Sequence, residues 1–235
     1  VIRYDPFDNN AILAQLNENE RDRLKPLFQE ARLPLSGRLD DAHQHAERMY
    51  FPTSGIVSLV MFMEDGATGE IAIVGNEGLI GTAIYMGGTY STSDAIVQVG
   101  GRALALPASF ALEEFNRLGN FHTLLLQFSQ ALTEQIAHTA LCNRHHRIEQ
   151  QLARWLLMSQ DRLDAPDMTM TQELIANMLG VRREGVSTAA YGLQESGIIS
   201  YRRGKIRILD RDALQARSCE CYQTISDYYA KLGIS

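Results

Sequence analysis

The stretch 178–210, MLGVRREGVSTAAYGLQESGIISYRRGKIRILD, limits the possible folds more than any other part of this 235-residue chain. Just before it, Thr171 is placed to cap a helix over 172–179, and Gly180 supplies the residue type that ends one. A second helix is expected over 182–195, stopping at Ser196-Gly197. Two short segments, IISYRR and KIRILD, then flank Gly204 as a hairpin. Ala176 is small where the helices must cross, while Val186, Ala190 and Leu193 would turn inward on the second one. Helix, glycine turn, helix and hairpin together make a winged helix-turn-helix. Asp210 is expected to cap a last helix carrying Cys219 to Tyr229.

The charge along the chain is uneven. The whole protein is at −6, yet residues 181–211 hold seven basic and three acidic side chains. Such asymmetry predicts one anion-facing surface on an otherwise acidic molecule. Arg182, Arg183, Ser187 and Thr188 should share the outward side of the second helix, with Glu184 at its leading end. A guanidinium can donate twice to guanine, a carboxylate can accept from cytosine, and hydroxyls reach phosphates or bases. The small residues Gly185, Ser187, Thr188 and Ala189 would let the helix approach base edges closely. Thr171 and Gln172, opening the first helix, join this contact set. Arg202, Arg203 and Lys205 around Gly204 suit phosphates, which fix position without reading sequence.

Upstream, residues 32–107 read as short strands separated by glycine-containing turns, the pattern of an antiparallel barrel or sandwich. Residues 107–163 change to helix, with a break at Gly119-Asn120. In the long helix that follows, Leu125, Phe128, Leu132, Gln135, Thr139 and Cys142 alternate at spacings of three and four, which predicts a dimerisation seam. Packing of that stripe on its own domain is the competing reading. A further helix should present Leu152, Trp155, Leu156 and Ser159 on one face. The fold class expected is α+β, in three units: residues 1–119, 120–163 and 164–235. No apolar run is long enough to span a bilayer, and no signal-peptide pattern opens the chain, so a cytoplasmic protein without membrane contact is expected.

The segment from Thr171 to Asp210 resembles the C-terminal domain of the cyclic-AMP receptor protein family, the CRP/FNR transcription regulators. MYFPTSGIVSLVMFMEDG, GNEGLIG and QVGGRALALP are similar to that family's N-terminal β-roll. The resemblance implies a cyclic-nucleotide-binding-like double-stranded β-roll, a long dimerisation helix and a winged helix-turn-helix. It implies a homodimer on a palindromic operator in double-stranded DNA, with RNA polymerase and a small-molecule effector as further partners. Arg183 and Glu184 fall where the family carries an Arg-Glu pair that reads a G·C pair. A second family arginine is Thr188 here, which implies a different half-site.

The family's phosphate-binding cassette pairs a Gly-Glu segment with a later Arg-Ser. Here Glu77 and Gly78 remain, but Ser91, Thr92, Ser93 and Asp94 stand where the arginine belongs. A buried phosphate would lack its counter-charge, so the pocket reads as degenerate and cyclic AMP is not expected as a cofactor. Glu77 then serves to hold a turn. No effector can be named, and no cofactor is assigned.

The oxygen-sensing branch of the family holds a cluster on four thiolates, and this chain has three cysteines. CNRHH (142–146) and CEC (219–221) are candidate metal or redox segments; neither has four-ligand spacing by itself, so no metal is assigned. An enzyme reading rests on His43-x-His45 after Gly37, as in metal-binding cupins. It fails at Glu47, which follows too soon, and at the missing later histidine. Nothing else resembles a catalytic constellation. A ligand-sensing β-roll protein whose winged helix binds another protein is the remaining alternative.

Overall fold

The computed structural model describes residues 5–88, 90–163 and 165–233. Asp164, where the sequence places the start of the third unit, and residues 1–4 of the first lie outside the described residues.

Two short helices, α1 (Ala11–Ala14) and α2 (Glu18–Leu24), open the chain. Asn10 starts α1 by accepting from the backbone N–H groups of Ile12 and Leu13. Its amide nitrogen also donates to the carbonyls of Pro52 and Gly78, so the same cap pins the helix to the sheet. Five strands follow: β1 (Gln29–Leu33), β2 (Arg38–Asp40), β3 (Arg48–Phe62), β4 (Thr68–Val74) and β5 (Asp94–Pro107). They form one antiparallel sheet in the order β1-β5-β3-β4, with β2 also paired to β5.

The short strands expected from the turn residues are in fact two long ones, β3 and β5, paired from Arg48 opposite Pro107 to Val60 opposite Asp94. The glycines act as bulges rather than breaks. Register slips around Ser54 and Ile56, where Gly55 has φ +85° and a Cβ on Gly101 would meet the Ser54 carbonyl oxygen at 2.1 Å. Two backbones touch there, and the sheet bends.

The helices α3 (Ala108–Phe115), α4 (Asn120–His145) and α5 (Ile148–Gln160) come next. Here the sequence expectation of a dimer seam is corrected. Leu125, Phe128, Leu132, Gln135 and Thr139 are all buried within the single chain. The Phe128 ring sits so close to Gly78 that a Cβ there would come within 2.3 Å of it. Gln135 donates to the Ile73 carbonyl at 3.0 Å, and Thr139 accepts from Arg154 at 3.3 Å. Alternation of three and four marks any helix with one covered face, and the polar members of this stripe find partners inside their own chain.

Trp155 on α5 donates its indole N–H to Glu70 on β4 at 2.8 Å. Burial pushes the Glu70 carboxyl up to about 7, against the lowering effect of the Ser58 and Trp155 hydrogen bonds. Because its folded value lies above the ordinary 4.5, its contribution to stability is complete below that pH and is lost as pH rises through about 7. Glu70→Gln keeps an acceptor for Trp155 and is expected to flatten this loss. In urea unfolding the variant should gain about 3 kcal/mol on its parent between about pH 5 and about pH 8. Parallel stability profiles for the two proteins would sink this assignment.

The remaining chain forms β6 (Asp167–Thr169), α6 (Gln172–Leu179), α7 (Arg183–Glu195), β7 (Ile199–Arg202), β8 (Lys205–Ile208), α8 (Arg211–Arg217) and α9 (Glu220–Lys231). Thr171 caps α6 through the Leu174 N–H, Gly180 ends it at φ +64°, and Asp210 caps α8 through the Ala213 N–H. The expected hairpin has a third strand: the sheet order is β6-β8-β7. The expected single last helix is two, divided at Ser218 and Cys219. Among the described residues no helix is long and apolar enough to cross a membrane.

Candidate nucleic-acid interface

The second helix of the motif, α7, begins at Arg183 with Arg182 as its N-cap residue. Arg182, Arg183, Glu184 and Thr188 are exposed on it, and Val186, Ala190 and Leu193 are buried, as the sequence spacing predicts. The small residues divide differently from the expectation. Ala189 is buried, and a Cβ on Gly185 would meet Ile148 of α5 at 2.6 Å. These two let α7 cross α5 closely, so half of the shaved surface faces the protein's own interior. Ser187 is half-buried and donates to Gln172 at 2.6 Å, tying α7 to α6. Tyr191, 62% exposed, lies one turn beyond Thr188 on the same outward face. Sequence reasoning missed it, although the spacing 184, 188, 191 marks that face.

The wing tip is a two-residue turn in which Arg203 (φ +51°) and Gly204 (φ +77°) are both left-handed. Such a conformation costs a non-glycine residue about 1–2 kcal/mol. A strained residue of this kind is a mark of functional sites, and here it holds a cation at the tip. Thr171, Gln172, Arg183, Tyr201, Arg203 and Gly204, with one acidic residue, Glu173, line one open cleft of about 500 Å³ between α6, α7 and the wing. Tyr201 is steadied there by its hydroxyl, which donates to the Met170 carbonyl at 2.8 Å.

The basic residues of this region fall into two groups. Arg207 is engaged with Asp167 through two bonds, and Arg211 with Asp161, Gln160 and Tyr222. Arg182, Arg183, Arg202, Arg203 and Lys205 are exposed, and among the described residues none of them is ion-paired. Five free cations at the start of one helix and around one hairpin form a charged crescent that the fold itself does not neutralise.

The expected effector pocket comes apart. Ser91, Thr92 and Ser93 line a cavity of about 290 Å³ between the sheet and α4, together with Asp40, Ser129 and Thr133. Glu77 and Gly78 do not reach it. The Glu77 carboxylate accepts from the Gly75 N–H at 2.9 Å and from Arg162 at 2.8 Å, so it holds a turn and anchors the end of α5. Asp94 is also turned away, toward Arg38 and the Ala42 N–H. Among the described residues lining the cavity there is no lysine or arginine, and the Asp40 carboxyl is pushed up to about 6 by burial and by Asp41. His43 lies in a turn at φ +64° rather than on a strand, and the His45 ring packs at a tilt against Tyr90. The paired-histidine arrangement of the enzyme reading is not formed.

A family model described as the Crp-like helix-turn-helix domain matches residues 150–217. This part of the chain is a Crp-like helix-turn-helix domain. Over about four fifths of the chain the fold is similar to solved structures of CRP/FNR-type regulators. FixK2 from Bradyrhizobium japonicum aligns with a TM-score of 0.70 at 19% identity, covering 82% of this chain and 98% of its own. TTHB099, a CRP-family transcriptional regulator from Thermus thermophilus, aligns at 0.66 and 20%, covering 80% and 96%. The c-di-GMP-responsive global regulator CLP of Xanthomonas campestris aligns at 0.63 and 14%, covering 82% and 99%. At these identities the likeness is one of fold. No curated protein matches the chain in sequence. The Crp-like domain takes in α5 as well as α6 to α8, in keeping with the close packing of α7 on α5 at Gly185 and Ile148.

Proposed function

We propose that the protein is a homodimeric, sequence-specific DNA-binding regulator of transcription that recognises a palindromic operator without needing cyclic AMP. The observation that carries this reading is the crescent of five unpaired cations on α7 and the wing. Arg183 and Glu184 would enter the major groove at the leading end of α7, with Thr188 and Tyr191 behind them. Arg202, Arg203 and Lys205 would hold phosphates, and Thr171 and Gln172 would border the same cleft. A cavity without a cationic lining residue supports independence from a cyclic phosphate, and leaves room for an uncharged or weakly polar effector.

Pairing of two copies is supported by the face of α4 opposite the buried stripe. Leu126, Gln130, Thr133, Ala137, Ala140 and Arg144 are all exposed and alternate at spacings of four and three. That is a heptad seam, with small residues at its centre that would allow two helices to approach closely. A two-fold pair would present its α7 helices to half-sites about 34 Å apart.

The test is selection of duplex DNA from a random pool by the purified protein, with and without cyclic AMP. A palindrome enriched equally in both arms is the expected result. Enrichment only with the nucleotide would overturn the cofactor reading, and none in either arm would count against operator binding. On the selected operator, Arg183→Ala should cost about 1–3 kcal/mol and relax one base pair of each half-site. Lys205→Ala should weaken all sequences alike and reduce the salt slope by about one. Indistinguishable behaviour of the two variants across operators would refute the division into reading and gripping residues.

A further inference from the structure

Two segments that lack ligand spacing when taken singly meet in space. Cys142 lies in the last turn of α4 and His146 is its C-cap residue; Cys219 is the N-cap residue of α9 and Cys221 lies in its first turn. One ligand-capable atom from each of the four lies within 4.8 Å of all the others. Cys142 Sγ is 3.5 Å from Cys219 Sγ, and Cys221 Sγ is 3.8 Å from His146 Nδ1. The three thiols are buried, none is in a disulfide, and they cluster apart from the main core.

We propose that Cys142, His146, Cys219 and Cys221 form a tetrahedral site for a single thiophilic divalent cation, of which zinc is the best match. An ion with bonds of about 2.3 Å to sulfur and about 2.0 Å to nitrogen sets its tetrahedral ligands roughly 3.3–3.8 Å apart. The Cys142–Cys219 and Cys221–His146 separations lie at that spacing, and the remaining pairs lie within 4.8 Å. An iron–sulfur cluster spreads its ligands over two or more irons with sulfides between them, and the 4.8 Å limit leaves no space for that. Thiolate and imidazole donors select a soft or borderline ion over magnesium or calcium.

The surroundings complete the site. His146 Nε2 is 3.3 Å from the Glu220 carboxylate, the outer partner that orients a metal-binding imidazole and leaves Nδ1 as its ligand atom. Gln151 donates to the carbonyls of Cys142 and His146 at 3.4 and 2.9 Å, holding the turn between the two ligands. Arg154 is 3% exposed, and among the described residues it has no carboxylate at ion-pair distance, although the buried Glu70 carboxyl feels its charge from farther off. It donates only to Thr139 and Met158, and its Nε is unpartnered. A buried cation needs a counter-charge. Three thiolates on one divalent ion would carry one net negative charge. The cation would thus tie the end of the long helix α4 to the start of the last helix, α9.

The experiment uses the full chain purified under reducing, anaerobic conditions with zinc supplied, followed by elemental analysis and by cobalt titration after chelation. About one zinc per chain is expected, together with the thiolate-to-cobalt charge-transfer and tetrahedral ligand-field bands of a sulfur-rich site. The triple variant Cys142→Ser/Cys219→Ser/Cys221→Ser should lose the ion. His146→Cys, which keeps four ligands, should retain it with a more intense charge-transfer band, and serves where the serine variant does not fold. Overturning results are protein that binds neither ion, undiminished metal in the folded triple variant, a folded His146→Cys protein that binds none, or several irons with acid-labile sulfide. None of these readouts depends on DNA binding.

Discussion

Replacing Arg162 by alanine is expected to destabilise the folded chain by about 3–5 kcal/mol, the cost of breaking a buried ion pair by removing one partner. Both side chains are almost wholly buried: Arg162 Nε donates to Glu77 Oε1 at 2.8 Å, and Arg162 also donates to the Met158 carbonyl. Burial alone would lower the arginine's pKa, but the charge and hydrogen bond of Glu77 more than offset this and raise it. Without the guanidinium, Glu77 would keep only the Gly75 N–H and would remain a charge in an apolar setting. Equilibrium urea unfolding measures the loss. Glu77→Gln/Arg162→Met should recover much of it, because no charge is then left buried and the glutamine can still accept from Gly75. A loss under about 1 kcal/mol for Arg162→Ala would mean that solvent reaches the pair and that it behaves as a surface bridge.

A charge placed in the exposed seam of α4 should have the largest effect on DNA binding. Ala137→Glu puts two carboxylates face to face across the proposed two-fold interface, at a position that is exposed in the single chain. Folding should be untouched, since the side chain points away from the core. The expected result is a monomer in sedimentation equilibrium, with affinity for a palindromic operator lowered by about 10²–10⁴-fold, the contribution that linking two binding units supplies. Affinity for a single half-site should hardly change. The contrast is Phe128→Ala on the buried stripe, which should lower stability rather than alter association. A dimer that persists in Ala137→Glu and dissolves in Phe128→Ala would reverse the assignment of the two faces.

The parts of the fold written in neighbouring residues could be read from the chain alone. Thr171, Gly180 and Asp210 cap or end their helices through bonds spanning a few residues, and local chemistry of that kind is visible in sequence. The exposure of Arg183 and of the wing cations was legible for the same reason. What escaped depended on distance along the chain. Glu77 and Arg162 are 85 residues apart, and Cys142 and Cys219 are 77 apart. No pattern within either segment announces the other. The stripe on α4 failed differently: periodicity identifies that a face is covered but not by what, and the opposite face carries the same alternation with weaker hydrophobicity. Gly185 and Ala189 were open to two readings as well, because small residues admit a neighbouring helix as readily as a DNA groove.

Thr133 belongs to two surfaces at once. It lines the cavity beside the sheet and it lies on the exposed stripe of α4. The chamber and the exposed stripe therefore adjoin along one helix, about 10 Å across, and a second copy packed on that stripe would lie beside the chamber. A molecule entering the chamber would press on Ser129, Leu132, Thr133 and Ile136, the inner side of the surface on which two copies would meet. Such a molecule needs no hinge and no relay of side chains to be felt outside. Its size would be felt directly as the spacing of the pair.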